Sequence, residues 1–132
     1  MPSTELLLHW VVAFAITQCV ECPIYVFGFG APLRLAFAAS LVTHPFASVM
    51  VPELWRWIYG SAIARSAAFV LPELAYYAVG GAMAETFAVV VEAWMLHRFA
   101  RWTARKAFSA SLVANAASVA AGGLAYLVTG WP

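Results

Sequence analysis

The segment 76–97, YYAVGGAMAETFAVVVEAWMLH, decides the fold of this chain. Crossing the hydrocarbon core of a bilayer takes about 20 residues of helix, and this segment is long enough. Before His97 its only ionisable side chains are Glu85 and Glu92. The pattern predicts a transmembrane helix that carries two carboxyl groups at membrane depth.

The composition of the whole chain agrees with this interpretation. Of its 132 residues, 64% are hydrophobic and 10% are charged, whereas a soluble domain has about 45–50% and about 25%. A soluble domain of this length leaves much of its surface in water, so the excess apolar surface must face lipid. A net charge of +1 without a basic stripe argues against nucleic acid as a partner. We expect residues 1–132 to form a single transmembrane domain.

Three further stretches have the length and apolar character of a span. The four predicted spans are residues 6–29, 32–57, 76–97 and 107–128. The fold class is therefore all-α, a polytopic membrane protein built as a four-helix transmembrane bundle. Residues 53–73 have a looser pattern, which predicts a short amphipathic segment at the interface between the second and third spans.

Basic residues are distributed unequally over the loops. The first and third loops share one side of the membrane and hold Arg34, Arg98, Arg101, Arg105 and Lys106. The second loop holds only Arg56 and Arg65. Cytoplasmic loops are enriched in Lys and Arg, so we predict that both termini lie outside the cytoplasm, in a prokaryotic inner or cytoplasmic membrane. Aromatic residues predicted at the outer interface are Trp10, Trp55, Trp57, Tyr76, Tyr77 and Trp131.

Four ionisable residues lie deep in the predicted spans: Glu21, His44, Glu85 and Glu92. A charged side chain at the bilayer centre costs about 2.5–3.5 kcal/mol on insertion scales, so such residues face the bundle interior. Glu85 and Glu92 are seven residues apart in the sequence, which places both on one helix face about 10 Å apart.

The other spans carry matching stripes of polar or small residues. The residues predicted to form a polar core or translocation site are Glu21, Thr43, His44, Glu85, Glu92, Asn115 and Ser118. Packing the four stripes together would give a polar interior surrounded by apolar side chains. Pro23 and Pro45 each remove a backbone hydrogen bond within a span, and we expect a kink beside Glu21 and another beside His44.

Each of these residues also has a plainer interpretation. The carboxyl groups can serve as hydrogen-bonding contacts between helices, and His44 can be a neutral imidazole bonded to a neighbouring carboxyl group. Alternatively, His44 with Glu21, Glu85 and Glu92 would form a divalent metal site, since imidazole and carboxylate are common ligands. Cys19 and Cys22 form a C-x-x-C pair, for which helix packing is favoured over redox chemistry.

Several motifs together resemble a group of small, uncharacterised prokaryotic four-helix membrane proteins. The motifs are Glu21-x-Pro23, Thr43-His44-Pro45, the Glu85 and Glu92 pair, and Ser111 with Asn115 and Ser118. The resemblance covers most of the chain and implies the architecture, but no activity. This chain has Ser40 where the group's pattern has asparagine, which would weaken a hydrogen-bond network built on that amide.

Translocation of protons or a small cation, or a role as an energy-coupling subunit, is the function that these residues favour. A non-catalytic accessory or structural subunit of a larger membrane complex is the first alternative, and a membrane-embedded metalloenzyme is the second. A bundle of four helices is small for a transporter, so we expect it to form a homo-oligomer or join a larger complex in the lipid bilayer.

Overall fold

The structure, a computed structural model, describes residues 4–65 and 71–130, with backbone only for residues 5, 6 and 62–65. It contains five α-helices: α1 (Thr4–Pro23), α2 (Leu33–Pro45), α3 (Val51–Arg65), α4 (Glu73–Phe99) and α5 (Ala104–Thr129). A π-helical turn, Ile24–Gly28, follows α1, and another, Phe46–Met50, joins α2 to α3.

The chain forms four helices that are long and apolar enough to cross a membrane. They are Leu7–Gly28, Leu33–Ser61, Glu73–Phe99 and Ala104–Thr129. The prediction of an all-α, four-helix membrane bundle is therefore confirmed. Because α2 and α3 run on from one another through the π turn, they act together as the second span. Helix α5 packs along α1 and α4, and α2 packs along α1 and α4.

Pro23 and Pro45 are each followed by a wider turn of helix. Pro23 is the last residue of α1 and Pro45 the last of α2, and a π turn begins immediately after each. A proline has no backbone N–H for the usual bond four residues back, and π turns within helices are often found at functional sites. The two turns place Tyr25 and Ser48 where a regular helix would not.

The second span is longer than the sequence predicted. Its helix was expected to end near residue 57, but helical backbone continues to Arg65. The predicted interfacial segment, 53–73, falls partly on this extension and partly on residues 66–70, which lie outside the described residues, as does Trp131. Aromatic contacts hold α3 against α4: the Trp55 indole N–H donates to the Tyr76 carbonyl at 3.0 Å, and the Tyr59 and Tyr76 ring centroids are 4.8 Å apart.

The two ends of the bundle differ in charge and in packing. The basic end, where loops join α1 to α2 and α4 to α5, carries the exposed side chains of Arg34, Arg98, Arg101, Arg105 and Lys106. Near this end the small residues Ala36, Ala107 and Ala110 are fully buried around Tyr25 and Leu96. At the opposite end, called the terminal end, α1 begins and α5 ends.

Large apolar side chains face outward and polar side chains face inward, which is the reverse of their distribution in a soluble bundle. Large apolar side chains such as Leu74, Leu127 and Phe27 point outward with more than four-fifths of their surface exposed. The buried polar and charged residues are Glu21, Ser40, Thr43, Glu92, Ser111, Asn115 and Ser118. This arrangement suits a lipid environment, where polar groups must find their partners inside the protein.

The close contact between Trp55 and Gly80 gives a test of the packing between α3 and α4. A Cβ at Gly80 would meet Trp55 Cδ1 at 2.9 Å, whereas a Cβ at Gly81 would meet nothing within 4 Å. We expect Gly80→Ala to lower the free energy of unfolding by about 1–3 kcal/mol through overpacking. The matched control Gly81→Ala should leave it unchanged or raise it by up to about 1 kcal/mol through helix propensity. The free energy of unfolding of both variants is measured in detergent micelles. Equal changes in the two variants would contradict the close contact between Trp55 and Gly80.

Candidate functional site

Glu92, on α4, is the acceptor at the centre of a buried hydrogen-bond network. Its side chain is 1% exposed. The Tyr25 hydroxyl donates to Oε2 at 2.5 Å, the Thr43 hydroxyl donates to Oε1 at 2.6 Å, and Asn115 Nδ2 donates to Oε2 at 2.7 Å. The Ser111 hydroxyl lies 3.3 Å from Oε2. These donors come from the π turn after α1, from α2 and from α5, so one carboxyl group connects all four spans.

The orientation of the Asn115 amide is fixed by its second partner. Nδ2 also donates to the Ser111 backbone carbonyl at 3.0 Å, and a carbonyl oxygen can only accept. The amide therefore presents N–H groups, and not its oxygen, to Glu92. A group that can only donate requires an acceptor opposite it, so this network favours an Oε2 atom of Glu92 without a proton.

Glu21, on α1, has a different set of partners. It is 1% exposed, and both of its neighbours are hydroxyl groups: Ser40 donates to Oε2 at 2.5 Å and Ser118 donates to Oε1 at 2.7 Å. A hydroxyl group can donate or accept by rotation. Ser118 has a second acceptor, the Asn115 backbone carbonyl at 3.0 Å. When Glu21 carries a proton, it can donate to Ser118, which then donates to that carbonyl.

Glu21 and Glu92 have no basic partner among the side chains that the structure describes. Within residues 4–65 and 71–130, no described lysine, arginine or histidine side chain forms an ion pair with Glu21 or Glu92; a salt bridge that does form joins Arg56 and Glu53 at 3.1 Å on the exposed surface. Burying an ionised carboxylate is costly unless it is paired and hydrogen-bonded. Here the hydrogen bonds are supplied by neutral groups alone.

The network forms one wall of a cavity of about 190 Å³. The side chains that line it come from all four spans: Thr17, Glu21, Ser40, Thr43, His44, Ala47, Ser48, Ala84, Glu85, Ala88, Glu92, Asn115, Ser118 and Val119. A water molecule occupies about 30 Å³ of liquid and needs two to four polar partners. The cavity is roomy and polar enough to hold several waters or a hydrated ion.

Two polar residues on the cavity wall have unused hydrogen-bonding capacity. His44 Nε2 is buried and has no hydrogen-bond partner among the described residues. The His44 ring lies against Trp10 and Phe14, with centroid distances of 5.3 and 5.2 Å, and hydrogen-bonds to the Trp10 backbone. Glu85 is half-buried, and neither of its oxygens has a hydrogen-bond partner in the described part of the chain. Both groups can therefore bind what enters the cavity.

The structure brings together all seven residues that the sequence predicted for the polar core. Glu21, Thr43, His44, Glu85, Glu92, Asn115 and Ser118 line the same cavity. The prediction omitted Tyr25, Ser40 and Ser111, although all three share a helix face with predicted residues. The Ser40 hydroxyl reaches Glu21 directly, so the departure from asparagine at this position leaves Glu21 with a donor.

The metal-site hypothesis gains no support from this geometry. Within residues 4–65 and 71–130, no three His, Cys, Asp or Glu side chains form a group that could hold a metal ion. Of the four predicted ligands, Glu21 and Glu92 already use both oxygens as hydrogen-bond acceptors, while His44 and Glu85 retain unused atoms. A divalent metal at these four residues stays a prediction.

Cys22 of the C-x-x-C pair lies beside the carboxyl network, in the buried cluster that contains Tyr25. Both cysteines are free thiols, with Cys19 exposed and Cys22 buried. The Cys22 thiol donates to Gln18 Oε1 at 3.0 Å within α1.

Comparison of the chain with known protein families, curated proteins and solved structures found no match to any of them.

The contact between Tyr25 and Glu92 can be tested by removing one hydroxyl group. Tyr25→Phe keeps the buried ring but leaves Glu92 with one donor fewer. We expect the free energy of unfolding in micelles to fall by about 0.6–2 kcal/mol, between the average for membrane hydrogen bonds and the value for charged acceptors. Tyr126→Phe is the matched control, because Tyr126 lies exposed on α5. Equal changes in the two variants would refute a stabilising role for this hydrogen bond.

Proposed function

We propose that this protein takes up protons or a small cation in its intramembrane cavity and passes them on as a subunit of a membrane assembly. One observation carries the proposal: Glu21 and Glu92 are both buried, both line one cavity, and neither is paired with a basic side chain of the described residues. Ionisable residues inside membrane spans commonly mark ion or proton pathways.

The physical basis is the cost of an isolated charge in a medium of low dielectric constant. Two buried carboxyl groups without a cationic partner reach a stable state only if protons or cations supply the missing positive charge. Because no basic side chain of the described residues pairs with either carboxyl group, we propose that the positive charge comes through the cavity. A site that depends on a mobile positive charge is suited to uptake and release.

The two carboxyl groups are suited to different roles. Glu92 presents Oε2 to the Asn115 amide, which can only donate, so this oxygen serves as a fixed acceptor that holds the network together. Glu21 faces two hydroxyl groups that can reverse their direction, and it can gain or lose a proton without breaking either contact. We assign exchange to Glu21, and orientation of Glu92 to Thr43 and Asn115.

Glu85 and His44 would act before Glu21 on the same route. Both residues line the cavity, and their unused polar atoms can bind a proton or a hydrated cation there. The half-buried Glu85 carboxylate would attract the incoming positive charge, and His44 Nε2 would relay a proton toward the buried pair. Sodium or another small cation would use the carboxylates alone.

A purely structural role is the second candidate, and one observation favours it. The donors around Glu92 come from three other parts of the bundle, so the network would fix helix registry even if nothing entered the cavity. In this case the protein would be an accessory subunit. This candidate gives no role to the unpartnered atoms of Glu85 and His44.

Flux in vesicles separates the two candidates. Purified protein, with any subunit that co-purifies, is reconstituted into liposomes, and proton uptake is followed with a pH-sensitive dye under an imposed potassium diffusion potential. Sodium uptake is measured in parallel. We expect Glu21→Gln to reduce the flux at least tenfold, because an amide of the same shape cannot exchange a proton. Glu53→Gln, which alters an exposed carboxylate paired with Arg56, should retain the flux.

Loss of folding has to be excluded for these variants, so each is also assessed by its elution profile and unfolding temperature in detergent. A Glu21→Gln protein that elutes normally and conducts as well as the wild type would overturn the translocation proposal. If Glu92→Gln lost assembly while wild-type vesicles showed no flux of either ion, the accessory role would be supported instead.

A further inference from the structure

A second cavity, of about 370 Å³, lies between the second span and α4, nearer the terminal end. Its lining residues are Ala47, Pro52, Trp55, Arg56, Tyr76, Tyr77, Gly80, Gly81 and Ala84. Arg56 and Tyr77 are exposed, so this cavity reaches the surface at the level where aromatic residues cluster. We call it the vestibule.

The vestibule and the polar cavity meet at two small residues. Ala47 and Ala84 line both cavities. Ala47 lies in the π turn Phe46–Met50, and Ala84 lies on α4 next to Glu85. Ala47 and Ala84 therefore lie where the vestibule adjoins the polar cavity that the carboxyl groups line. We call this pair the neck.

Around the neck, α4 has small residues beside both cavities. On α4 the vestibule wall includes Gly80 and Gly81 beside Tyr76, Tyr77 and Ala84, and a Cβ at Gly81 would meet no atom within 4 Å. Beyond the neck the wall continues with Ala88, which also lines the polar cavity. Glu85 is the first carboxyl group on this wall after Ala84, and Glu92 lies two turns further on.

The opposite end of the polar cavity is closed. Between it and the basic end lies the packed cluster around Tyr25 and Leu96, both of which are 0% exposed. The Tyr25 hydroxyl donates to Glu92, which lines the cavity. The packed cluster therefore begins directly where the polar cavity ends. Fully buried alanines, among them Ala36, Ala107 and Ala110, fill the remaining space.

We infer that the carboxylates are reached from the terminal end, with the vestibule and the Ala47–Ala84 neck as an entry route, by water, protons and small cations. The inference rests on the proposed function for what the route carries, but the route itself is a separate claim. With the predicted orientation, in which basic loops face the cytoplasm, the vestibule opens to the outside. The bundle is then a half-channel, and passage to the other side requires a partner subunit or a rearrangement of the Tyr25–Leu96 cluster.

Cysteine accessibility tests the route independently of flux. In a Cys19→Ser, Cys22→Ala background, single cysteines replace Ala84 at the neck and Ala88 beyond it. Each is treated with a small, positively charged, membrane-impermeant methanethiosulfonate added to one side of sealed vesicles. We expect rapid labelling of both positions from the terminal end, and labelling at least tenfold slower from the basic end.

Control cysteines define the sides and the background. Val128→Cys and Ala104→Cys report the terminal and basic ends, because both residues are exposed at the ends of α5. Val90→Cys faces outward on α4, and Ala114→Cys lies in the packed core. Neither of these two should react, since lipid surrounds the first and protein the second.

A bulky residue at the neck should close the route. We expect Ala84→Leu to slow labelling of Ala88→Cys at least tenfold and to reduce the flux. The matched control is Ala82→Leu, at an exposed position on α4, and it should change neither. A normal elution profile and unfolding temperature for both variants exclude misfolding as the cause.

The possible outcomes separate the two proposals. Labelling of Ala84→Cys and Ala88→Cys from the basic end, equal labelling from both ends, or no labelling from either end would overturn the half-channel. Labelling from the terminal end that Ala84→Leu blocks would support the route. If vesicles that also contain every co-purifying subunit then conducted neither protons nor sodium, the route would stand and the proposed function would be overturned.

Discussion

The rest of this structure depends on the need of one carboxyl group, Glu92, for hydrogen-bond donors in a place where water and lipid supply none. Its donors are Tyr25, Thr43, Asn115 and, at longer range, Ser111. Because they come from every other span, Glu92 is satisfied only when all four spans are in register. Lipid tails are as apolar as leucine side chains, so burial of apolar surface does little to set this register. The polar network and close packing of small residues must do so.

The distribution of small residues explains why the bundle is packed at one end and hollow in the middle. Near the basic end, alanines on α2 and α5 allow the helices to approach closely around Tyr25 and Leu96. Further toward the terminal end, a Cβ at Gly81 would meet no atom within 4 Å, and Ala84 and Ala88 line the polar cavity. The π turn after Pro45 adds to this space by moving the backbone around Ala47 and Ser48. Small residues therefore accompany close packing near the basic end and a cavity in the middle of the bundle.

Much of the candidate site could be predicted because an intramembrane carboxyl group must face inward. The spacing of Glu85 and Glu92 placed both on one face of α4, and Asn115 and Ser118 followed on α5. Tyr25, Ser40 and Ser111 lie on the same helix faces as predicted residues. The sequence does not show whether such a hydroxyl group bonds to its own helix backbone, as Ser48 does with the His44 carbonyl, or to a carboxyl group on another helix.

The sequence by itself determined the number of spans, the lipid-facing surface and the stripe of each span that is buried. These follow from the transfer of side chains between water, lipid and protein, which depends on residue type and helical period alone. The tertiary structure decided which donor serves which carboxyl group, how far helix continues beyond Trp57, and that the cavity is closed at one end. Those features depend on distances between residues far apart in the chain, and no local pattern contains such distances.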